Sequence, residues 1–366
     1  MTRIYFTVTN SIVYDQRMQR ICTSLSNDGY SVFLIGRKIK GHPLPEKTPY
    51  QTQLLQCFFS RSVLFYVEYN LRLFFYLITQ KIDVICAIDA DTLLPCLFYS
   101  KLKNIKRVYD AHEYFSEQKE IVTRRRIQII WQLIEKWCVP QFKNGYTVND
   151  ILQTKFQQNF GVKYSVIRNL PILSTHLPPK PASVNDKIIL YQGSVNHGRC
   201  FETLIPAMKQ VSAVLWIIGT GNFYAEVQAM IKAHRLEDKI KLLGPMLPEK
   251  LITITPTAYF GITLFEAKGF NQTNSLANRF FDYIMAGIPQ ICVNYPAYAA
   301  IQQKYTVAYL VNDTNENTLA AAMNNLLSDA VLYTQLQQQC IIARKELNWQ
   351  KEEIKLLSFW RSTCTS

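Results

Sequence analysis

Charge is sparse in this 366-residue chain at 18%, and acid is the scarcer sign, with 27 Asp and Glu against 40 Lys and Arg. Thirteen glycines and 15 prolines are too few for a fibrous or low-complexity protein, and 48% hydrophobic residues exclude a disordered one. Histidine is rare, with five residues and no His-x3-His or His-Glu-x-x-His spacing. The nine cysteines (Cys22, Cys57, Cys86, Cys96, Cys138, Cys200, Cys292, Cys340, Cys364) include no Cys-x-x-Cys pair. A protein-bound metal therefore has no support, and the cysteines read as free thiols in a reducing compartment. A Walker A loop, a Gly-x-Ser-x-Gly elbow and a ribonucleoprotein aromatic motif are all missing, which removes P-loop, α/β-hydrolase and RNA-recognition chemistry. No long apolar run stays uninterrupted. The best, Ser62 to Gln80, contains Glu68, Asn70 and Arg72, and a central charge costs ~2.5–3.5 kcal/mol on insertion scales. No spanning helix is expected. Met1 leads straight into the apolar run Arg3 to Thr9 without the pattern of a signal peptide, so a cytosolic location is expected.

What is present points to two folded halves. Single cores stop growing near ~250–300 residues, so this length predicts two domains. The net charge of +13 is uneven: residues 1 to 170 hold 23 basic and 13 acidic residues, or +10. An electropositive first half attracts phosphates, nucleic acid or an anionic membrane. That half alternates short apolar runs with helical spacing, the pattern of β-α-β units on a parallel sheet. Arg3 to Thr9 reads as a strand, Tyr14 to Asn27 as a helix with Met18, Ile21, Cys22 and Leu25 inward, and Ser31 to Ile35 as the next strand. A helix over 63–79, a strand over 82–87, a helix over 91–101 and a strand over 107–109 follow. Asp89-Ala90-Asp91 and Asp110-Ala111-His112-Glu113 then fall where parallel strands hand over to loops, the usual ligand position in open α/β sheets. Pro171, Pro178, Pro179 and Pro181 mark an interdomain linker. Beyond it, strands over 187–191, 213–218, 240–243 and 290–293 and helices over 201–209, 223–234 and 278–285 predict a second α/β unit, with helices again over 316–356.

Three segments of the second half carry possible chemistry. Gly219-Thr220-Gly221 follows a strand but lacks the third glycine of a dinucleotide fingerprint, and reads as a tight turn. Gly193 through Gly198-Arg199 combines small residues, which let backbone N–H groups approach an anion, with a forked donor; it reads as a diphosphate cradle or as a solvated surface turn. Asn274-Ser275-Leu276 leads into a helix with Arg279 and Asp282 at i and i+3, stopped by Gly287 and Pro289. A cation for phosphate and a carboxylate for sugar hydroxyls share that helix; the other reading is a capped helix with a surface ion pair. Lys119 to Lys143 places Arg124-Arg125-Arg126 before Ile127, Ile129, Ile130, Trp131, Leu133, Ile134 and Trp137, an amphipathic pattern suited either to an anionic leaflet or to packing on a domain core.

The 274–289 segment resembles the donor-site signature of GT-B glycosyltransferases, specifically a bacterial subgroup of glycosyltransferase family 4. The resemblance extends in order through Tyr14-Asp15-Gln16-Arg17, Asp89-Ala90-Asp91-Thr92, Tyr109 to Glu113, Tyr191-Gln192-Gly193, Leu215 to Gly221 and Lys239 to Gly244. It implies a GT-B fold of two Rossmann-like α/β domains facing across a cleft: residues 1–170 for the acceptor, 171–348 for the nucleotide sugar, and a last helix, 349–366, crossing back to the first domain as a hinge element. It implies that Asp282 holds the ribose, that Arg199 and Arg279 hold the diphosphate with Gly193 and the N–H groups of Ser275 and Leu276, and that His112 sits near the donor sugar. Asp15, Arg17, Asp89, Asp91 and Glu113 are acceptor-side candidates on loops, with Asp91 also suited to an N-cap.

One departure from the family stands out, because Asn274 replaces the first acid of the Glu-x7-Glu motif. An amide can hydrogen-bond a sugar hydroxyl but cannot act as a carboxylate nucleophile. The resemblance thus implies a cytosolic, metal-independent, retaining hexosyltransferase. It would need no cofactor beyond the nucleotide sugar and would act on a glycan or lipid-linked glycan in surface polysaccharide or lipopolysaccharide synthesis, without nucleic acid. The rival readings are a GT-B nucleotide-sugar epimerase or hydrolase, and a basic membrane-binding protein without turnover.

Overall fold

The computed structural model describes residues 1–45, 47–174 and 187–365. They form two units: Met1–Asn169 with Gly269–Asn271 and the chain from Lys351, and Leu170–Lys268 with Gln272–Gln350. The first unit runs β1 (Arg3–Thr7), α1 (Gln16–Asn27), β2 (Ser31–Arg37), β3 (Gln51–Leu55), α2 (Ser62–Ile78), β4 (Val84–Ile88), α3 (Leu93–Lys103), β5 (Lys106–Ala111), α4 (Lys119–Val122), α5 (Arg125–Cys138), β6 (Asn144–Thr147), α6 (Asp150–Phe160) and β7 (Ser165–Val166). Its sheet is parallel throughout, in the order β3-β2-β1-β4-β5-β6-β7. The chain leaves β1 toward one edge and returns through β4 toward the other. The C-terminal ends of β1 and β4 therefore flank the crevice where strand order reverses.

The inward residues are those the helical spacing selects: Met18, Ile21, Cys22 and Leu25 of α1 are fully buried, as is every residue of β4. Burial of such side chains contributes ~1.5–3 kcal/mol each. Two differences from the sequence-based expectation have local causes. The helix expected from Asp91 starts at Leu93, because Asp89 takes a positive φ of 54° and Ala90–Thr92 tighten into a 3-10 turn. Asp91 is accordingly not the N-cap; Thr92 is. The stretch from Lys119 breaks into α4 and α5 at Thr123 and Arg124, where three successive arginines oppose the positive end of a helix dipole.

The second unit continues with β8 (Ile188–Gln192), α7 (Phe201–Ala207), β9 (Val214–Ile218), α8 (Tyr224–Ala233), β10 (Ile240–Gly244), α9 (Pro248–Ile254), β11 (Phe260–Thr263), α10 (Phe270–Asn274), α11 (Asn278–Ala286), β12 (Gln290–Val293), α12 (Pro296–Lys304), β13 (Ala308–Val311), α13 (Glu316–Ser328), α14 (Ala330–Ala343) and α15 (Trp349–Thr365). This sheet is also parallel, in the order β10-β9-β8-β11-β12-β13, so its own reversal lies between β8 and β11. From Lys351 onward α15 belongs to the first unit, as do Phe270 and Asn271 of α10. There Trp360 meets the ring of Phe6 at 5.3 Å and Phe359 that of Tyr146 at 5.1 Å, while Lys106 donates to the carbonyls of Thr363 and Cys364. Of the proline-marked linker, Pro171 accepts the Trp349 N–H at 2.8 Å; Pro178, Pro179 and Pro181 lie outside the described residues. All nine cysteines are unbonded, and among the described residues no helix is long and apolar enough to cross a membrane.

Candidate functional site

Three segments of the second unit meet at the β8/β11 reversal. The loop after β8 carries Gly193 to Arg199, the loop after β11 carries Leu264 and Phe265, and α11 carries Arg279 and Asp282. The guanidinium of Arg199 stacks 4.3 Å over the Phe265 ring and that of Arg279 4.7 Å over the same ring, so one aromatic side chain registers two cations. Arg279 also lies 4.7 Å over Tyr191 and donates to the Leu264 carbonyl at 3.3 Å and, at 3.5 Å, to the Tyr191 hydroxyl. It is only 7% exposed, its Nε has no partner, and among the described residues no carboxylate pairs with it. A buried cation without a counter-ion is costly unless an anion arrives. The surface ion pair between Arg279 and Asp282 is thus not formed. Asp282 instead accepts from the Gln192 side-chain amide at 3.0 Å, and Gln192 in turn accepts from the Thr255 hydroxyl at 2.8 Å.

The loop after β8 is held by its backbone. The Gly193 N–H is committed to the Ile218 carbonyl and the Val195 N–H to Thr220, so Gly193 contributes space rather than a donor. A Cβ at Gly193 would stand 3.5 Å from Arg279 Nη1, and the Gly193 carbonyl occupies the place a Cβ on Gly219 would need, at 1.8 Å. Gly219, at φ 143°, thereby lets the β8 and β9 loops touch, which is what the Gly-Thr-Gly turn is for. Gly219→Ala should lower the urea midpoint by an overpacking cost on the order of 1–3 kcal/mol; an unchanged midpoint would refute this role. Ser275 and Leu276 lie half-buried in the three-residue connection before α11. They do not cap it, because the N-cap is Ala277, whose N–H goes to the Tyr298 hydroxyl at 3.1 Å. Asn274 closes α10 and donates to the Thr273 hydroxyl at 2.9 Å.

In the first unit the β1/β4 crevice gathers a charged cluster. Thr9, after β1, donates to Asp91, after β4. His112 follows β5, with Nε2 3.1 Å from Asp110 and Nδ1 3.6 Å from Asp89, which also accepts the His112 N–H at 3.0 Å. Burial disfavours the charged imidazole, but Asp110 and Asp89 outweigh it and raise the pKa to about 9. The two carboxylates thus favour the charged, donating form of His112 at neutral pH. Burial raises Asp91 to about 7, with the charge of Asp89 adding to it. Asp110 is fully buried; burial works against its charge, yet Arg17 and His112 hold it below the usual carboxylate range.

Arg17 corrects the expectation of a loop residue. It sits on α1, 3% exposed, and its guanidinium donates to both oxygens of Asp110 at 2.9 and 3.3 Å and to the Ile167 carbonyl at 3.0 Å. Asp15 is the cap of α1, accepting the Met18 N–H at 3.0 Å. Glu113 accepts from Asn271 at 3.4 Å. Glu135 of α5, fully buried, accepts the N–H groups of Phe115 at 3.0 Å and Ser116 at 3.4 Å, and so fixes the turn after His112.

Phe265 and Glu135 escape residue-type reasoning, since Phe265 continues an apolar run and Glu135 reveals itself only through distant partners; Asp110 and Gln192 lie in segments the sequence singles out, but their partners, Arg17 and Asp282, do not follow from residue type.

Residues 175–346 match the sequence family described as glycosyl transferases group 1. A search of curated protein sequences finds no match. Among solved structures, the chain resembles a sucrose-phosphate synthase from Thermosynechococcus elongatus at TM-score 0.82 and 15% identity, over 99% of both chains. It also resembles Anabaena Alr3699/HepE in complex with UDP and glucose at 0.76 and 13%, over 99% and 100% of the two chains. WaaG, a glycosyltransferase involved in lipopolysaccharide biosynthesis, follows at 0.75 and 11%, over 96% and 98%. At these identities the likeness is one of fold. The two parallel Rossmann-like sheets make a GT-B fold, and the stretch similar to glycosyl transferases group 1 is residues 175–346.

Proposed function

We propose that the protein is a retaining, metal-independent hexosyltransferase that moves a sugar from a nucleoside diphosphate to a glycan or lipid-linked glycan in surface polysaccharide or lipopolysaccharide synthesis. The reading includes the subgroup of family 4, a cytoplasmic location and peripheral contact with an anionic membrane. The observation that carries it is the pair of guanidiniums on Phe265, one of them buried without a carboxylate, beside Asp282 oriented by Gln192. Two such cations suit a diphosphate, and a half-buried carboxylate suits ribose hydroxyls. Alr3699/HepE, a structural neighbour, is described with bound UDP-glucose.

In the proposed reaction the bond between the anomeric carbon and the β-phosphate oxygen breaks while Arg199 and Arg279 stabilise charge on the departing diphosphate. The acceptor hydroxyl oxygen attacks the same face, and its proton passes to the departing phosphate oxygen. Asn274 fits this route because it offers no nucleophile. In the family that the chain resembles, the position of His112 donates to a sugar hydroxyl, a role that its charged form suits.

Thermal-shift measurements with UDP, GDP, ADP and CMP, with and without Mg2+, test the donor site. One nucleoside diphosphate at ~100 times its dissociation constant should stabilise by ~2.7 kcal/mol, equally without metal. No shift with any of them refutes the site, and a shift confined to Mg2+ refutes metal independence. Incubation with the matching nucleotide sugar alone separates the rivals: free sugar or an epimer formed without acceptor at the transfer rate would replace the transferase reading.

A further inference from the structure

We propose that the outer surfaces of α2, α3 and α5 form one docking face for an anionic lipid bilayer. The inference deepens the membrane part of the reading above by naming the surface and the partner, and its test requires no turnover.

α2 is apolar on two opposite sides. Phe65, Tyr69, Leu73 and Leu77 face the core, while Leu64, Val67, Leu71, Phe75 and Ile78, at helical spacing of three and four, face outward, Phe75 being 64% exposed. α3 adds Phe98 and Leu102, the latter 64% exposed, and α5 adds Ile130, Leu133 and Trp137, with Leu133 61% exposed. The three helices are neighbours: Tyr66 meets Trp131 at 5.2 Å and Phe98 meets Trp137 at 5.7 Å. The inward side of α5 instead holds Gln128, Trp131, Glu135 and Cys138. The apolar face that the sequence pattern assigns to α5 is thus divided, and half of it is turned to the outside. Exposed apolar side chains grouped on three helices that touch one another are the kind of grouping that marks an interaction site.

The charges on these helices choose the occupant. Glu68 is engaged by Arg72 at 2.8 Å and by the N–H groups of Phe58 and Phe59, and Glu135 is buried. What remains outward is cationic: Lys101 and Lys103 on the last turn of α3, Arg125, Arg126 and Lys136 on α5, and Arg124 just before it. A two-fold dimer through this face would bring the same cations together, at an electrostatic cost. An anionic bilayer takes both features at once, with apolar side chains entering the acyl boundary and cations meeting lipid phosphates. Since no described helix can span, the contact is one of lying on the surface.

Flotation of the purified full chain with vesicles tests this. It should float with mixed phosphatidylcholine and phosphatidylglycerol and far less with phosphatidylcholine alone. The triple variant Arg124→Gln, Arg125→Gln, Arg126→Gln should lose affinity for the mixed vesicles on the order of 100-fold, since each basic residue near an anionic surface contributes about a factor of five. The exposed-side variant Leu71→Ser, Phe75→Ser, Leu102→Ser should lose binding to the mixed vesicles while keeping its thermal midpoint and its response to nucleotide. Absence of flotation with the mixed vesicles, or binding by either variant equal to that of the parent protein, overturns the proposal. So does a stable dimer in sedimentation equilibrium that Phe75→Ser dissolves, which would assign the face to a second copy. Because neither donor nor acceptor is present, failure of the transferase reading leaves this result standing, and the reverse holds.

Discussion

Arg279→Met should lower kcat/KM for sugar transfer by about 10²–10³, the usual loss when one charge-stabilising donor is removed, while the thermal midpoint stays level or rises. The two effects have the same origin. The Arg279 guanidinium is buried against Tyr191 and Phe265, with one carbonyl and one hydroxyl as acceptors and an orphaned Nε. Without an anion present, that arrangement leaves part of the desolvation cost uncompensated, and cation–π contact returns only ~0.5–2 kcal/mol. Methionine fills similar volume with no charge to bury. The bound diphosphate would be what repays the cost, so the nucleotide-induced thermal shift should vanish in the variant. Undiminished turnover in Arg279→Met and in Arg199→Ala would dismiss the phosphate cradle, and a collapsed midpoint would show Arg279 to be a structural residue.

Arg17→Met should behave in the opposite manner, costing about 3–5 kcal/mol in urea unfolding, because it strands a buried charge. Asp110 is fully buried and accepts two of the three Arg17 hydrogen bonds. With Arg17 gone it keeps only His112 at 3.1 Å. The double variant Arg17→Met, Asp110→Leu removes the stranded charge along with its partner and should recover part of the loss. A single variant as stable as the parent protein would mean that water or backbone movement satisfies Asp110, and the buried pair would then carry little of the first unit's stability.

The legible and illegible parts of this protein differ in how local their causes are. The α1 core face, the strand-end positions of Asp89, His112 and Gly193, and the termination of α11 at Gly287 follow from spacing and residue type, and the structure places them where those rules put them. β3 does not follow, since Gln51-Thr52-Gln53 is polar and its pairing with Phe33 to Ile35 comes from the neighbouring strand. The burial of Arg17 is decided 93 residues away at Asp110. Phe265 reads as one more core aromatic until two arginines from opposite sides of the sequence are seen on its ring. The outward stripe of α2 is invisible for a different reason: a helix apolar on two sides reads as buried, and only the exposure of Leu64, Val67, Leu71 and Phe75 among the described residues shows otherwise.

The return of α15 to the first unit has a consequence for how the chain comes into being. Phe6 and Trp360 are both fully buried and touch each other. A ribosome adding about 5–20 residues per second delivers them roughly 20–70 s apart. Throughout that interval the sheet side beneath Phe6 and Tyr146 waits uncovered, whereas the unit that begins at Leu170 has all its strands by Val311. Birth order and completion order are therefore inverted: the half synthesised first is the last to be sealed, and a chain released early would be missing the lid of its own first half.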